Sequence, residues 1–411
     1  MKIFIADYLP LANKGEEEIL RGIETLFKIN GKEDVSFSVF GDVLDVQYVG
    51  NVTVYPKWYC YPDFKLRGKW KVLADIGKAL LSVFGIYPYK RVLGRQETIL
   101  SELKSADAIL LGHDGFFNLR CAMLGNYLHK LGMHYGILGA GFNRPSRNIA
   151  WVYDKVYGRC FNNADYVILR EQTAYNYVKS ISTNSVIELF PDPAFFCPGD
   201  IYDVARVETI ISKYGINSGD KLCVGLTICE DSISFSKAFE SVSDRINAHR
   251  EFVVELIKTI SKERKCSFYF LPHCLKDGKG NDMHIAKDIK SRLGNSIDCK
   301  VIEEDLPVLD LKYLISKMDV VLGERTHSII NSIATATPFV SITCSADFRT
   351  HDIVGAGCQL PQQIYDLDYP KLQDLYVIVD RTIKEKDAIR MNLLKICEEH
   401  SQLKSKFQEI I

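Results

Sequence analysis

The chain has 411 residues, which is long for one hydrophobic core and predicts two domains. Apolar residues make up 47% of the chain and charged residues 25%, a balance typical of globular proteins that excludes a disordered or fibrous chain. The formal net charge of −1 provides no overall attraction to nucleic acid, so we expect no nucleic-acid partner.

The cysteines and the apolar runs bear on metal binding and location. Twelve cysteines are scattered without any Cys-x-x-Cys pair, so neither a zinc framework nor a redox dithiol is indicated, and no metal site is expected. The apolar run 3–6 stops at Asp7, and the run 79–87 is too short to cross a bilayer. We therefore expect a cytoplasmic protein with reduced thiols.

Strand-like and helix-like segments alternate along the first half, which predicts parallel sheets with crossover helices in a doubly wound α/β fold. The predicted strands are 3–6, 36–40, 108–111, 135–138 and 166–169. The predicted helices are 16–27, 119–131 and 149–161. Residues 41–95 are predicted to be irregular.

A turn-rich segment at 197–200 precedes a second series, so the predicted domains are residues 1–200 and 201–411, each Rossmann-like. The predicted strands of this series are 222–226, 267–271, 301–303, 320–322 and 339–342. The predicted helices are 204–213, 252–260, 284–292 and 311–317. A final helix at 384–407 could pack back across the boundary.

Ligands of open α/β sheets bind beyond the carboxyl ends of the strands, so the residues after each predicted strand are candidates. These residues are His113 and Asp114 after 108–111, Arg170 after 166–169, His273 after 267–271, and Arg325, Thr326 and His327 after 320–322. Their cations predict a site for a small phosphorylated anion in the cleft between the halves.

The Arg325-Thr326-His327 element opens the apolar segment 329–334, with Thr326 as the predicted N-cap. A helix start offers N–H groups to an anion, Arg325 adds a bidentate donor, and a bound phosphate would favour protonated His327 as a general acid. The alternative is structural, with Thr326 only capping the helix and Arg325 paired with Glu324 or a surface carboxylate.

Two other elements also allow both a functional and a structural interpretation. The Asn13-Lys14-Gly15 turn precedes three glutamates, so it is either a ligand contact through Asn13 or simply a well-capped helix start. His113 and Asp114 lie between glycines and form either an acid–base pair or a polar turn.

Residues 65–95 carry eight lysines and arginines against one acid, Asp75, interleaved with large apolar residues. This composition is typical of a segment that lies on a membrane surface. The alternative is a solvated basic face on a helix packed against its own domain.

Taken in order, the motifs resemble those of the polysaccharide pyruvyl transferase family from residue 13 to about residue 342. The matching elements are Asn13, Gly15, Glu16 and Glu17; residues 107–115; the strand ending at Arg170; Asp192-Pro193-Ala194; Pro272-His273 with Asp282 downstream; and Arg325 with His327. The family's usual tyrosine, aspartate and lysine after the strand 339–342 are replaced here by residues 343–347.

The resemblance implies two Rossmann-like domains similar to the glycosyltransferase B architecture. It also implies that phosphoenolpyruvate donates a pyruvyl group to two hydroxyls of a sugar, in a polysaccharide or a lipid-linked precursor, to form a ketal without a further cofactor. On this basis His327 is the expected general acid, and Arg170 and Arg325 the expected clamp on the donor. His273 is a candidate base or acceptor contact, and Asp282 a substrate contact.

Two other functions stay open. A glycosyltransferase of the same architecture would use a nucleotide sugar, although Ser332 stands where retaining enzymes often have a second glutamate after Glu324. A non-catalytic protein that binds anions or sugars is less compatible with the presence of both Arg325 and His327.

Overall fold

The computed structural model describes residues 1–10, 13–28, 34–57, 69–86, 97–113, 117–142, 149–217, 219–229, 241–275 and 280–411. The chain forms two compact units. Unit 1 comprises Met1–Leu11, Leu26–Asp192 and Lys404–Ile411, and unit 2 comprises Ala12–Thr25 and Pro193–Leu403.

The strands of unit 1 are β1 (Lys2–Tyr8), β2 (Ser36–Gly41), β3 (Gln47–Val49), β4 (Val52–Pro56), β5 (Ala108–Leu110), β6 (Ile137–Ala140), β7 (Val167–Leu169) and β8 (Ile187–Leu189). One sheet has the order β3-β4-β2-β1-β5, in which β3 alone is antiparallel to its neighbour, and the other has the parallel order β6-β7-β8. Because Leu110 pairs with Gly136 just before β6, the two sheets adjoin.

The first helices along the chain are α1 (Lys14–Lys28), α2 (Lys69–Val83), α3 (Glu97–Ser105), α4 (Leu119–Lys130), α5 (Ala150–Asn162) and α6 (Gln172–Ile181). The side chain of Asn118 starts α4 by accepting hydrogen bonds from the backbone N–H groups of Arg120 and Cys121. Helices and strands of unit 1 share an apolar core in which the ring of Phe117 lies 5.2 Å from that of Phe161.

The strands of unit 2 are β9 (Leu222–Thr227), β10 (Cys266–Phe270), β11 (Cys299–Val301), β12 (Val320–Gly323), β13 (Phe339–Thr343) and β14 (Ile364–Asp366). They form one parallel sheet in the order β11-β10-β9-β12-β13-β14. The direction of winding reverses between β9 and β12. Ligands of doubly wound sheets bind at this switch point, beyond the carboxyl ends of the strands.

The remaining helices are α7 (Val204–Tyr214), α8 (Val242–Glu263), α9 (Asp282–Leu293), α10 (Val308–Ser316), α11 (Thr326–Ala334), α12 (Leu372–Lys384) and α13 (Lys386–Ile410). Short helical turns span Pro193–Phe196, Phe348–Thr350, His351–Gly357 and Pro361–Gln363. Among the residues described above, no helix combines the length and the apolar composition needed to cross a membrane.

Several predicted elements differ from the structure. Residues 41–95 are not irregular throughout, because they contain β3, β4 and α2. The strands predicted at 135–138 and 301–303 lie at 137–140 and 299–301, and the helix predicted at 252–260 begins ten residues earlier. The final helix predicted at 384–407 corresponds to α13, and α3, α6, α12, β8 and β14 were not predicted.

Candidate functional site

The Arg325-Thr326-His327 element lies at the switch point of the unit 2 sheet, between the end of β12 and the start of α11. Gly323 allows the close approach there, because a Cβ atom on it would lie 2.7 Å from the Thr227 hydroxyl at the end of β9. That hydroxyl is 2.6 Å from the Ser328 hydroxyl in the first turn of α11. The start of α11 is therefore packed onto the end of β9.

The N-cap of α11 is Arg325, not Thr326 as predicted. Arg325 has extended backbone angles (φ −91°, ψ 117°), and its carbonyl accepts the hydrogen bonds of the Ser328 N–H (2.9 Å) and hydroxyl (2.7 Å). Thr326 is instead the first helical residue, and its hydroxyl lies 3.0 Å from the Thr350 hydroxyl. The positive end of the helix dipole thus lies at the switch point.

Asp282 fixes the Arg325 guanidinium. Nη2 of Arg325 lies 2.6 Å from Oδ1 of Asp282, and Nε lies 3.3 Å from Oδ2. Oδ2 also accepts the backbone N–H groups of His273 (3.0 Å) and Cys274 (2.9 Å). Burial raises the pKa of Asp282, while the Arg325 charge and these hydrogen bonds oppose the shift. One carboxylate therefore ties α9, the segment after β10 and Arg325 together.

His273 is buried close to the positively charged Arg325 and Lys14 side chains. Its Nδ1 lies 2.9 Å from the Leu271 carbonyl, which can only accept, so Nδ1 carries the proton and Nε2 is an acceptor. Nε2 has no hydrogen-bond partner among the residues that the structure describes. The pKa of His273 is lowered to about 4, chiefly by burial and in smaller part by the charges of Arg325, His327 and Lys14, while the hydrogen bond to Leu271 opposes the shift. His273 is therefore a neutral hydrogen-bond acceptor in a positively charged surrounding.

The start of α1 reaches the same place within unit 2. Asn13 pairs with Cys274 through an isolated bridge, and the Lys14 N–H donates to the His273 carbonyl at 3.0 Å. The Asn13 side chain caps α1 by accepting from the Gly15 N–H at 3.2 Å. Gly15 lies against the imidazole of His327, because a Cβ atom at Gly15 would lie 2.3 Å from Nδ1. The predicted residues Asn13, His273, Asp282, Arg325, Thr326 and His327 thus belong to three neighbouring segments.

Buried polar contacts hold α1 against α10 and α11. Glu18 is fully buried, with Oε2 3.0 Å from Nδ2 of Asn331 and Oε1 3.5 Å from Nζ of Lys312. Further along α1, a Cβ atom at Gly22 would lie 1.8 Å from the Pro193 carbonyl oxygen, so only glycine fits. Sequence reasoning missed Glu18, Asn331 and Lys312. The polar Asn331 within an otherwise apolar helix was the signal that could have identified them.

The structural interpretation of the Arg325-Thr326-His327 element allowed Glu324 to pair with Arg325. In the structure Glu324 does not form this pair. Oε1 of Glu324 lies 2.5 Å from Nε2 of His249 on α8, and Oε2 accepts the Cys229 N–H at 2.8 Å. Both side chains are buried. His249 was not predicted from the sequence, yet it helps to fix the residue that directly precedes Arg325.

The other predicted residues lie in unit 1. Nη1 of Arg170 lies 2.5 Å from Asp192, and its Nε lies 3.2 Å from Glu171, with all three side chains buried. Nδ1 of His113 is 3.8 Å from Oδ2 of Asp7. Asp114 lies outside the described residues. The guanidinium of Arg170 is thus held by two carboxylates within its own unit.

The sequence profile of the family described as Polysaccharide pyruvyl transferase matches residues 13–345. The chain belongs to this family. The match contains the helix start at Arg325 and His327 and begins at Asn13, so it includes every segment of the unit 2 site. Membership confirms the resemblance predicted from the motifs and indicates a transferase. No curated protein matches the sequence.

Solved structures show the same fold at low sequence identity. The UDP-forming α,α-trehalose-phosphate synthase of Burkholderia vietnamiensis has a TM-score of 0.54 and 13% identity, covering 99% of this chain and 98% of that one. The UDP-GlcNAc 2-epimerase of Neisseria meningitidis, solved with UDP-GlcNAc, has a TM-score of 0.56 and 11% identity, covering 96% of this chain and 94% of that one. S. aureus MnaA, solved with UDP, has a TM-score of 0.53 and 13% identity, covering 95% of this chain and 90% of that one.

These likenesses confirm the predicted fold class. This pyruvyl transferase family member has two Rossmann-like α/β domains of the glycosyltransferase B architecture.

Proposed function

We propose that this protein transfers a pyruvyl group from phosphoenolpyruvate to two hydroxyls of a sugar, in a polysaccharide or a lipid-linked precursor. The observation that carries the proposal is the Arg325–His327 helix start at the switch point of the unit 2 sheet, inside the family match. A helix N-terminus with an adjacent guanidinium suits a donor that bears both a phosphate and a carboxylate.

The chemistry requires one proton donor and a means of holding two anionic groups. His327 protonates the methylene carbon of phosphoenolpyruvate, which leaves C2 electron-poor. One sugar hydroxyl adds to C2 and loses its proton, and phosphate departs with the electrons of the C2–O bond. The second hydroxyl then adds to C2 and closes the ketal. Of the two protons that the hydroxyls release, one returns to His327 and the other goes to the departing phosphate.

Within this scheme we assign a different task to each residue of the unit 2 site, and the geometry supports the assignment. Arg325, oriented by Asp282, holds the donor, and the first turn of α11 with Thr326 adds dipole stabilisation. His273 presents Nε2 as an acceptor, which fits a sugar hydroxyl better than an anionic oxygen. Asn13, His113, Asp114 and Arg170 stay as predicted substrate contacts.

Thermal unfolding with phosphoenolpyruvate, compared with a panel of nucleotide sugars, tests the donor. We expect phosphoenolpyruvate alone to raise the midpoint of the wild type, because a ligand at 100 times its Kd adds about 2.7 kcal/mol. Arg325→Ala should abolish the rise. The matched control is Arg292→Ala, which removes a surface guanidinium of unit 2 that is 2.9 Å from Asp288 and should leave the rise intact.

The same ligand panel, together with an assay of phosphate release in the presence of sugar acceptors, distinguishes the competing functions. Stabilisation by nucleotide sugars only would replace this proposal with a glycosyltransferase. His327→Gln should keep the phosphoenolpyruvate effect while losing phosphate release with sugar acceptors. If the wild type binds phosphoenolpyruvate but releases no phosphate with any sugar, the protein is a binder instead.

A further inference from the structure

Helix α2 of unit 1 has an apolar stripe that faces solvent. Leu73, Leu81 and Phe84 are 59%, 47% and 73% exposed, and exposed Gly77 lies between them. The spacing of four, four and three residues puts all four positions on one side of a helix. The opposite side carries buried Ala79 and packs into the core of unit 1. The helix is thus apolar on both sides, although only one side is covered.

The end of α2 presents this stripe on an ordered cap. The Ile86 N–H donates to the Leu81 carbonyl at 3.2 Å, and the Gly85 N–H donates to the Ser82 carbonyl at 2.8 Å. With Gly85 at φ +69°, these two bonds form a Schellman cap. The cap holds Phe84 and Ile86 in place while they are 73% and 48% exposed.

Cations accompany the stripe, and acids are scarce. Exposed Lys130 at the end of α4 lies across the cap, because a Cβ atom at Gly85 would lie 2.4 Å from its Cδ. No carboxylate of the described residues pairs with Lys130. The sole acid of α2, Asp75, is 3.5 Å from Lys78. The other cations of the basic segment 65–95 lie mainly at 65–68 and 87–95, outside the described residues.

We propose that Leu73, Leu81, Phe84 and Ile86, together with Lys130, dock this protein onto an anionic lipid bilayer. An apolar helix face with Lys130 beside its end, in a segment whose sequence is rich in lysine and arginine, suits the boundary between headgroups and acyl chains, where lysines also meet anionic headgroups. A second copy of this chain is a poorer partner, since pairing this face with itself would bring like charges together. The inference does not depend on the ketal chemistry.

Flotation of the full-length protein with vesicles tests the inference. We expect binding to vesicles of phosphatidylcholine with 30% phosphatidylglycerol and at least about tenfold weaker binding to pure phosphatidylcholine. The variant Leu81→Ser/Phe84→Ser/Ile86→Ser should bind at least about tenfold more weakly, because burying each of these large apolar side chains in the bilayer stabilises the bound state. Lys130→Glu should weaken binding to the anionic vesicles only.

A matched control removes apolar side chains of unit 1 elsewhere. Leu44→Ser/Tyr48→Ser changes residues that are 85% and 79% exposed near β3 and should bind like the wild type. The substituted positions are exposed, so all variants should fold, which their circular dichroism checks. Wild-type protein that fails to float with anionic vesicles, or a triple variant that floats equally well, overturns the proposal. So does a wild-type dimer in size-exclusion chromatography that the triple variant converts to a monomer.

Discussion

At the scale of single residues, the charge of buried Asp282 is balanced chiefly by Arg325. Arg325→Leu would remove that charge and raise the pKa of Asp282 further. Above about pH 4 the unfolded chain ionises this carboxyl readily, whereas the folded variant must keep the proton or bury an unpaired charge. The variant should therefore lose stability relative to the wild type as pH rises, by about 3 kcal/mol at neutral pH.

Urea unfolding at pH 5 and pH 8 measures this effect, and a double variant isolates its cause. In Arg325→Leu/Asp282→Asn the amide oxygen can still accept the His273 and Cys274 N–H groups, but it does not titrate. Its loss of stability should be independent of pH. An equal loss for Arg325→Leu at both pH values would show that Asp282 is not controlled by this pair.

At the scale of secondary-structure elements, two glycines of α1 face different neighbours, so we expect their substitution by alanine to have different effects. Gly15 faces the His327 ring, whereas Gly22 faces the Pro193 carbonyl, which is backbone and cannot turn aside. Gly22→Ala should reduce the free energy of unfolding by about 1–3 kcal/mol. Gly15→Ala should displace the imidazole, abolishing phosphate release with a smaller effect on stability.

Gly77→Ala in α2 is the control for these substitutions. Nothing lies within 4 Å of the Cβ position at Gly77, so alanine should stabilise the helix by about 0.5–1 kcal/mol. Thermal midpoints and phosphate release of the three variants separate packing from chemistry. A Gly15→Ala protein that releases phosphate at the wild-type rate would contradict the assignment of His327 as the acid.

The elements that could be predicted from sequence are those with a strong local signal. The strands β9, β12 and β13 are largely apolar runs in the middle of a parallel sheet, and each was predicted within one residue. β4 and α2 were missed because a five-residue strand ending in proline and a helix containing Gly77 give weak signals. The cap of α11 was misplaced by one residue, since local sequence does not determine which of two neighbours leaves the helical angles.

At the scale of the whole molecule, contacts between distant residues could not be predicted from one sequence. Most of α1 belongs to unit 2, although β1 just before it belongs to unit 1. The Glu18–Asn331 hydrogen bond joins residues 313 positions apart. Motif order predicted the family and identified Arg325 and His327 as candidate site residues. The contacts that hold their segment in place, through Glu18, His249 and the Asp282 carboxylate, depend on folding in three dimensions.

Acid stability is a property of unit 2 to which two buried histidines contribute. Burial lowers the pKa of both His273 and His400 to about 4. The unfolded chain binds protons at these residues from about pH 6.5 downward, but the folded unit does not until about pH 4. Their contribution to stability is therefore complete above pH 6.5 and is lost as pH falls towards 4, by up to about 3 kcal/mol for each residue.

Urea unfolding between pH 7.5 and pH 4.5 tests this with His273→Gln, His400→Phe and the double variant. His400→Phe keeps an aromatic contact with Phe195, whose ring centroid lies 4.5 Å from the His400 ring. Each single variant should lose less stability on acidification than the wild type, and the double variant least. His134→Gln is the control, because exposed His134 has its pKa raised by a hydrogen bond to Asp165, which cannot cause acid lability. If the buried-site variants and the control lose stability equally, ionisable groups other than these histidines cause the acid lability of the protein.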